Sequence, residues 1–360
     1  MNPGDDSVAV DVRRLNPDSL LTSAATPGRM VLVTGASGFV GGALARRLLA
    51  SGRRVRALGR SPMAELADLG AEIVRADVAD EAALRVACVG VATVFHAAAR
   101  VGVWGPRTEF ERTNTGGARA VVAACRAAGV PRLVFTSSPS VVYTHGHLSG
   151  VNEAQPPGTN FPADYPRTKA EAERIILSAH QPGTLATTAL RPHLIWGVGD
   201  KNLIPRVIAR ARAGRLRIVG DGKNRVDLTH IENVVDAHLL AEAALAHRDS
   251  PAGGRAYFIT NGEPVALWPW INELLRRIDI APIEKQISLR AAERLGAVGE
   301  FVWRMLRLRG EPPMTRFLAA ELAHDHWFDL SAARRDLGYI PRVSMAQGLA
   351  ELLPVLRTEK

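Results

Sequence analysis

Met30-Val31-Leu32-Val33-Thr34-Gly35-Ala36-Ser37-Gly38-Phe39-Val40-Gly41 decides the fold. Its first five residues form an uninterrupted run without polar alternation, which reads as a strand buried on both faces, as in a parallel sheet. From Phe39 the pattern changes to a helical period (Val40, Leu44, Leu48) that stops at Gly52. Three glycines join the two. Gly35 permits the tight turn, Gly38 lets backbone approach a pyrophosphate, and Gly41 lets the helix close on the strand. The helix N-terminus adds N–H donors and the positive end of its dipole. Ser37, Phe39 and Val40 lie within the same turn and are expected to touch the cofactor with the glycines. A glycine turn alone carries little weight. Standing between a strand and a helix, at the head of an alternating array, it carries much.

Beyond this stretch the alternation continues. Strands are expected at 53–58, 72–76, 91–97, 132–137 and 185–191, with helices at 81–87, 109–128 and 164–180. Strands separated by such helices imply right-handed crossovers, so the fold class is α/β, a Rossmann-like doubly wound parallel sheet. After Pro192 the rhythm breaks, and helices at 203–213, 230–247, 267–278, 288–308 and 313–324 are joined by short strands, one of them at 256–259. Three parts are therefore expected. Residues 1–28 form a flexible extension. Residues 29–195 form a dinucleotide-binding domain, to which 228–250 return. Residues 196–227 and 251–360 form a smaller α-rich substrate-binding portion.

With 47% hydrophobic and 22% charged residues in 360, the composition is globular and excludes a disordered chain. Cys88 and Cys125, the only cysteines, are too few for a disulfide framework or a zinc site and fit a reducing compartment. His324 and His326 have no carboxylate to complete a site, so no metal is expected. The longest apolar stretch, 86–99, is interrupted by Gly90 and His96, which excludes a spanning helix. Residues 1–28 carry Asp5 and Asp6 and lack the apolar centre of a signal peptide, so a cytoplasmic location is expected. The net charge of +9 calls for a test against nucleic acid. Its arginines are dispersed over helices without interleaved aromatics, so no nucleic-acid partner is expected.

Tyr165-Pro166-Arg167-Thr168-Lys169 opens the helix expected at 164–180. Positions i and i+4 share a helical face, so phenol and ammonium point the same way. A nearby cation favours phenolate and draws its pKa towards neutrality, as a general acid/base needs. Phe135-Thr136-Ser137-Ser138 ends the fifth strand, where open α/β sheets place their ligands.

The G-x-x-G-x-x-G spacing together with Y-x-x-x-K resembles the extended short-chain dehydrogenase/reductases. That resemblance implies that Ser138 donates to a substrate carbonyl, with Ser137 in reserve, and that Asn114 holds Lys169 through water. It also implies that Asp77, followed by Val78, meets the adenine amino group and that Pro192 touches the nicotinamide side. Ala97 and Ala98 keep small side chains where backbone passes the dinucleotide. NAD enzymes usually place an acid at the end of the second strand to bind both ribose hydroxyls. Here Ala57-Leu58-Gly59-Arg60-Ser61 has none, and Arg60 and Ser61 suit a 2′-phosphate. NADP(H) is therefore favoured, with NAD(H) as the other choice.

Three later stretches, 190–197, 222–235 and 256–264, resemble the 3β-hydroxysteroid dehydrogenase/isomerase family. Within it the chain is similar to sterol-4α-carboxylate 3-dehydrogenases and to 2-alkyl-3-oxoalkanoate reductases, both of which act on a 3-oxygenated carbon β to a carboxylate on a large apolar body. The resemblance implies hydride transfer on a lipid or sterol-like substrate with Tyr165 as general acid/base, and a homodimer. A nucleotide-sugar epimerase or dehydratase is the alternative, with Arg206, Arg210 and Arg212 as its basic cluster. A non-catalytic dinucleotide sensor would not need the Ser138, Tyr165 and Lys169 set. In the helix at 288–308, Leu289, Ala292, Leu295, Val298, Val302 and Met305 form an apolar face expected to cover the substrate pocket. The arginines beside it raise a peripheral membrane contact as the sharper reading.

Overall fold

Every residue of Met30–Thr34 (β1) is buried, because helices cover both faces of the sheet it centres. The computed structural model describes residues 29–143 and 145–358; the extension expected at 1–28 lies outside the described residues. Six further strands complete the main sheet: β2 (Val55–Gly59), β3 (Glu72–Arg75), β4 (Val91–His96), β5 (Arg132–Thr136), β6 (Ala186–Pro192) and β7 (Ala256–Ile259). Their order is β3-β2-β1-β4-β5-β6-β7, with every pairing parallel. The direction of winding reverses between β1 and β4, which opens a crevice at the carboxyl ends of those strands. This is the doubly wound α/β sheet the sequence implies.

The pleat sorts the core into two layers. Val31 and Val33 pack with Leu44, Leu48, Val235 and Leu240, from helices Phe39–Ala50 and Ile231–Ala244. On the other face, Leu32 packs with Leu84, Val121 and Ile176, from Glu81–Ala87, Gly117–Ala127 and Asp164–Ser178. A third core, around Trp196, Trp268, Ile271 and Leu349, belongs to the C-terminal half. There a small sheet aligns Val265–Ala266, Arg225–Val226, His326–Phe328 and Leu148–Val151, bringing residues from near the C-terminus beside the main crevice.

Two expectations are corrected. The strand at 256–259, assigned from sequence to the substrate-binding portion, is the outermost strand of the main sheet, paired with β6. Tyr257, Phe258 and Ile259 are buried there, so this edge is covered rather than exposed. The second correction concerns helix Leu289–Met305. Its apolar stripe does not face the pocket: Leu295 and Val298 are 58% and 61% exposed, and Met305 is exposed too. The buried positions are Ala292, Gly296 and Glu300. A Cβ on Gly296 would lie 2.6 Å from the Arg316 nitrogen, so close backbone contact sets the facing. Glu300 fixes it by accepting from the Arg316 amide at 2.8 Å and its guanidinium at 2.7 Å.

Candidate active site

At the nucleotide end, the loop after β1 turns through Gly35 at φ +70°, a conformation that disfavours any side chain. A Cβ there would lie 2.6 Å from Ala98 Cα, and one on Gly41 would lie 2.4 Å from the Gly35 carbonyl oxygen. Helix Phe39–Ala50 starts at Gly38 with neither a side-chain cap nor an acidic residue in its first turn. Its first N–H groups are thus left for an anion. A crevice of about 710 Å³ runs from this loop across the switch point. Gly35, Ser37, Gly38, Phe39, Val40, Gly41, Arg60, Asp77, Val78, Ala97, Ala98 and Pro192 all border it, as do Ser138, Tyr165 and Lys169. A narrow backbone-lined cradle ending in a pyrophosphate-type helix terminus fits a dinucleotide.

Asp77 accepts from the Ala79 amide at 3.0 Å and from Arg112 at 3.0 Å, with Arg60 at 3.8 Å. Burial pushes its carboxyl up, but these donors outweigh burial and hold it below the usual range. At the end of β2 there is no carboxylate. A Cβ on Gly59 would meet Ser37 Oγ at 2.8 Å, so the serine fills the space where a side chain would stand.

Tyr165 and Lys169 occupy successive turns of Asp164–Ser178, and Glu173 one turn further on. Lys169 is buried, and its Nζ donates to the Thr136 carbonyl at 2.6 Å, 4.1 Å from the centre of the Phe135 ring. Burial lowers its pKa to about 7. Thr136 is fixed in turn: His238 donates Nδ1–H to the Val234 carbonyl at 2.7 Å, so its Nε2 accepts from the Thr136 hydroxyl at 2.7 Å. The expected acidification of the phenol by its lysine is not what the structure shows. Burial raises Tyr165 above the ordinary value, and it is the Ser138 hydroxyl, rather than the ammonium, that pulls the other way.

The two serines part company. Ser138 begins the short helix Pro139–Val142, its Oγ 3.0 Å from that of Ser140, on the crevice side with Tyr165. Ser137 cannot serve as its reserve in this arrangement, because its hydroxyl donates to Glu173 at 2.6 Å. Glu173 also accepts from Arg191 at 2.6 and 2.9 Å, a buried ion pair behind the site that the sequence did not reveal. Asn114 is the residue expected to reach Lys169 through water. It sits in a π-helical turn, Glu111–Gly116. Its amide donates to the Arg100 carbonyl at 3.1 Å and to Thr168 Oγ1 at 3.0 Å, and its oxygen accepts from the Arg100 amide at 2.8 Å. Both amide hydrogens are thus committed, and its side chain ties loop to helix.

At the other end, Val103, Tyr143, Leu148, Phe317, Leu318 and Phe328 wall the crevice beside Ser138. Tyr143 and Phe317 rings lie 5.4 Å apart. His193 and His326 border the same end, joined at 2.6 Å. His326 Nε2 faces the Glu321 carbonyl at 2.8 Å and must donate to it. Its Nδ1 therefore accepts from His193 Nε2–H, which leaves His193 Nδ1 as an acceptor. Burial, with His326 adding to it, holds His193 well below the usual imidazole range, so the neutral form persists. Nothing in the sequence links residues so far apart.

A seven-stranded doubly wound sheet, with a glycine cradle at its switch point and a Tyr-Lys helix beside it, defines a short-chain dehydrogenase/reductase of the extended kind. The model of the 3-beta hydroxysteroid dehydrogenase/isomerase family matches residues 32–290, and the chain belongs to that family. It is 48% identical over 324 residues to a 2-alkyl-3-oxoalkanoate reductase of Stenotrophomonas maltophilia (strain K279a), covering 89% of this chain and 98% of the relative. It is 34% identical to a 3 beta-hydroxysteroid dehydrogenase/Delta 5-->4-isomerase of Mycobacterium tuberculosis, covering 95% and 93%. Among solved structures it is similar to MoeE5 in complex with UDP-glucose and NAD, with a TM-score of 0.70, 28% identity, and coverage of 91% and 99%. The protein is an oxidoreductase acting on CH–OH groups with a nicotinamide dinucleotide.

Proposed function

We propose that the protein interconverts a 3-oxo and a 3-hydroxy group on a bulky apolar 3-oxo acid, a lipid or sterol-like substrate, and works chiefly as a reductase. The observation that carries this reading is the aromatic and aliphatic wall beside Ser138 and Tyr165. The likeness to a 2-alkyl-3-oxoalkanoate reductase supports the substrate class.

A bound nicotinamide supplies the hydride in reduction. Ser138 Oγ–H holds the substrate oxygen, and Tyr165 delivers the proton as charge develops there. Burial keeps the phenol protonated at rest, which is the form a reductase needs. Lys169, with its pKa near 7, restores that proton and grips the ribose hydroxyls. NADP(H) is favoured over NAD(H) because β2 ends without an acid, and Arg60 borders the crevice with only a 3.8 Å contact to Asp77. A nucleotide-sugar epimerase has less support: Arg206, the member of the basic cluster that borders the crevice, is paired with Glu311.

The test is a cofactor-oxidation assay with NADPH or NADH and a long-chain 2-alkyl-3-oxo acid, run in reverse with NADP⁺ or NAD⁺ and a 4-carboxysterol. Turnover of the keto acid with NADPH is expected. Tyr165→Phe should lower it by about 10²–10⁴-fold with dinucleotide affinity nearly unchanged. Equal turnover in that variant removes Tyr165 from the chemistry, and a clear preference for NADH removes the phosphate role of Arg60.

A further inference from the structure

We propose that the outward face of helix Leu289–Met305 and the turn that follows it dock this enzyme on an anionic lipid surface. Leu295, Val298, Phe301 and Met305 repeat at helical intervals on one side and are all exposed, Phe301 at 64%. Leu306 and Leu308 extend the patch. A continuous apolar face of this kind on a helix end is a contact surface, not ordinary surface scatter. Five exposed arginines lie on the helix and the turn after it: Arg290 and Arg294 along its length, and Arg304, Arg307 and Arg309 at its end, where they also rim a second cavity. Among the described residues none of the five has a carboxylate partner. The buried acid of the helix, Glu300, is spent on Arg316.

That combination selects the occupant. A second copy meeting this face about a two-fold axis would set arginines against arginines, because an isologous contact repeats the same patch on both sides. A bilayer with anionic headgroups meets both demands, taking the apolar side chains into the acyl boundary and the guanidinium groups among the phosphates. The position also suits the chemistry. The same helix end borders that second cavity, of about 970 Å³, through Trp303, with Arg304, Arg307, Leu308 and Arg309 at its rim. Val101, Val103, Glu311 and Phe317 border both that cavity and the catalytic crevice. A substrate drawn from the bilayer would pass this shared wall to reach the crevice. This route rests on the lipid-oxidoreductase reading, whereas the docking does not.

The experiment uses the full chain with vesicles of phosphatidylcholine alone or mixed with phosphatidylglycerol, read by sedimentation. Wild type should sediment with the mixed vesicles and be released by high salt. Val298→Ser combined with Phe301→Ser should weaken that binding by about tenfold or more, with unchanged melting temperature and unchanged turnover of a short, water-soluble 3-oxo acid. Wild type that stays in solution, or a double variant that binds equally well, overturns the proposal. So does a wild-type dimer that the same double variant converts to monomers in size-exclusion chromatography. Patch-dependent binding by a protein inactive on every 3-oxo acid would uphold the docking and defeat the substrate reading.

Discussion

The nucleotide end of the crevice is walled by backbone and by residues with little side chain, whereas the substrate end is walled by rings. At the first, Gly35 and Gly41 let the loop close tightly on backbone by what they lack, and Ala97 and Ala98 border the crevice with small side chains. At the second, Tyr143, His193, Phe317 and His326 converge from four separate segments. A site defined by missing atoms is encoded locally, in one turn of chain. A site defined by converging side chains is encoded by the whole topology, including a small sheet that carries His326 to Leu148.

The sharpest way to break the nucleotide end is Gly41→Ala. Its methyl group would meet the Gly35 carbonyl at 2.4 Å, backbone against backbone, so the loop itself must move. Dinucleotide affinity measured calorimetrically should fall by about 10²-fold, the scale expected when several backbone contacts to one anion are displaced together. Wild-type affinity in that variant would show that the cradle lies elsewhere.

An effect of similar size separates the two serines at the junction of the ends. Ser138→Ala should lower turnover by about 10²-fold, as removal of a donor to a developing oxyanion does. Ser137→Ala should leave turnover within about twofold and lower unfolding free energy by about 1–3 kcal/mol, since it strips a buried hydrogen bond from Glu173. Parallel kinetics and chemical denaturation decide the assignment, and the reverse pattern would exchange their roles.

The smallest expected effect is on stability. Lys169 falls from an ordinary value of 10.5 to about 7 on burial. Between those values the unfolded chain binds a proton that the folded chain does not, so this residue makes stability rise with pH across that window. Its penalty is complete below about 7 and gone above 10.5. Without dinucleotide, Lys169→Met should therefore shift the melting temperature more favourably at pH 6 than at pH 10. The difference should be a few degrees, since each kcal/mol moves the melting temperature of a chain this long by only about 1–2 °C. The loss of the Thr136 contact is common to both values and cancels; equal shifts would mean that the amine is not depressed.

The sheet and the cradle were legible because the inner strands announce themselves as apolar runs and most crossovers by a helix, although the edge strand β3 is only half-buried. The crevice residues named from motif positions were legible for the same reason, as positions at or just beyond the carboxyl ends of the strands. The rest depended on competition that a linear pattern does not display. Of the stripe expected to face inward, Ala292 does, but Leu295, Val298 and Met305 turn outward, because Gly296 and Gly299 permit the closer backbone approach on the other side. Asn114 and Ser137 are motif residues whose polar groups are claimed by Arg100, Thr168 and Glu173. The His193–His326 pair had no local signal at all.

Thr136 acts as a rivet through the sheet. Its hydroxyl is anchored to His238 in the helical layer on one side, and its carbonyl anchors Lys169 from the layer on the other. The amine thus has a footing in helix Ile231–Ala244, although that segment never touches it. The position of that nitrogen depends on both the earlier and the later half of the chain, and neither half by itself holds the complete machinery.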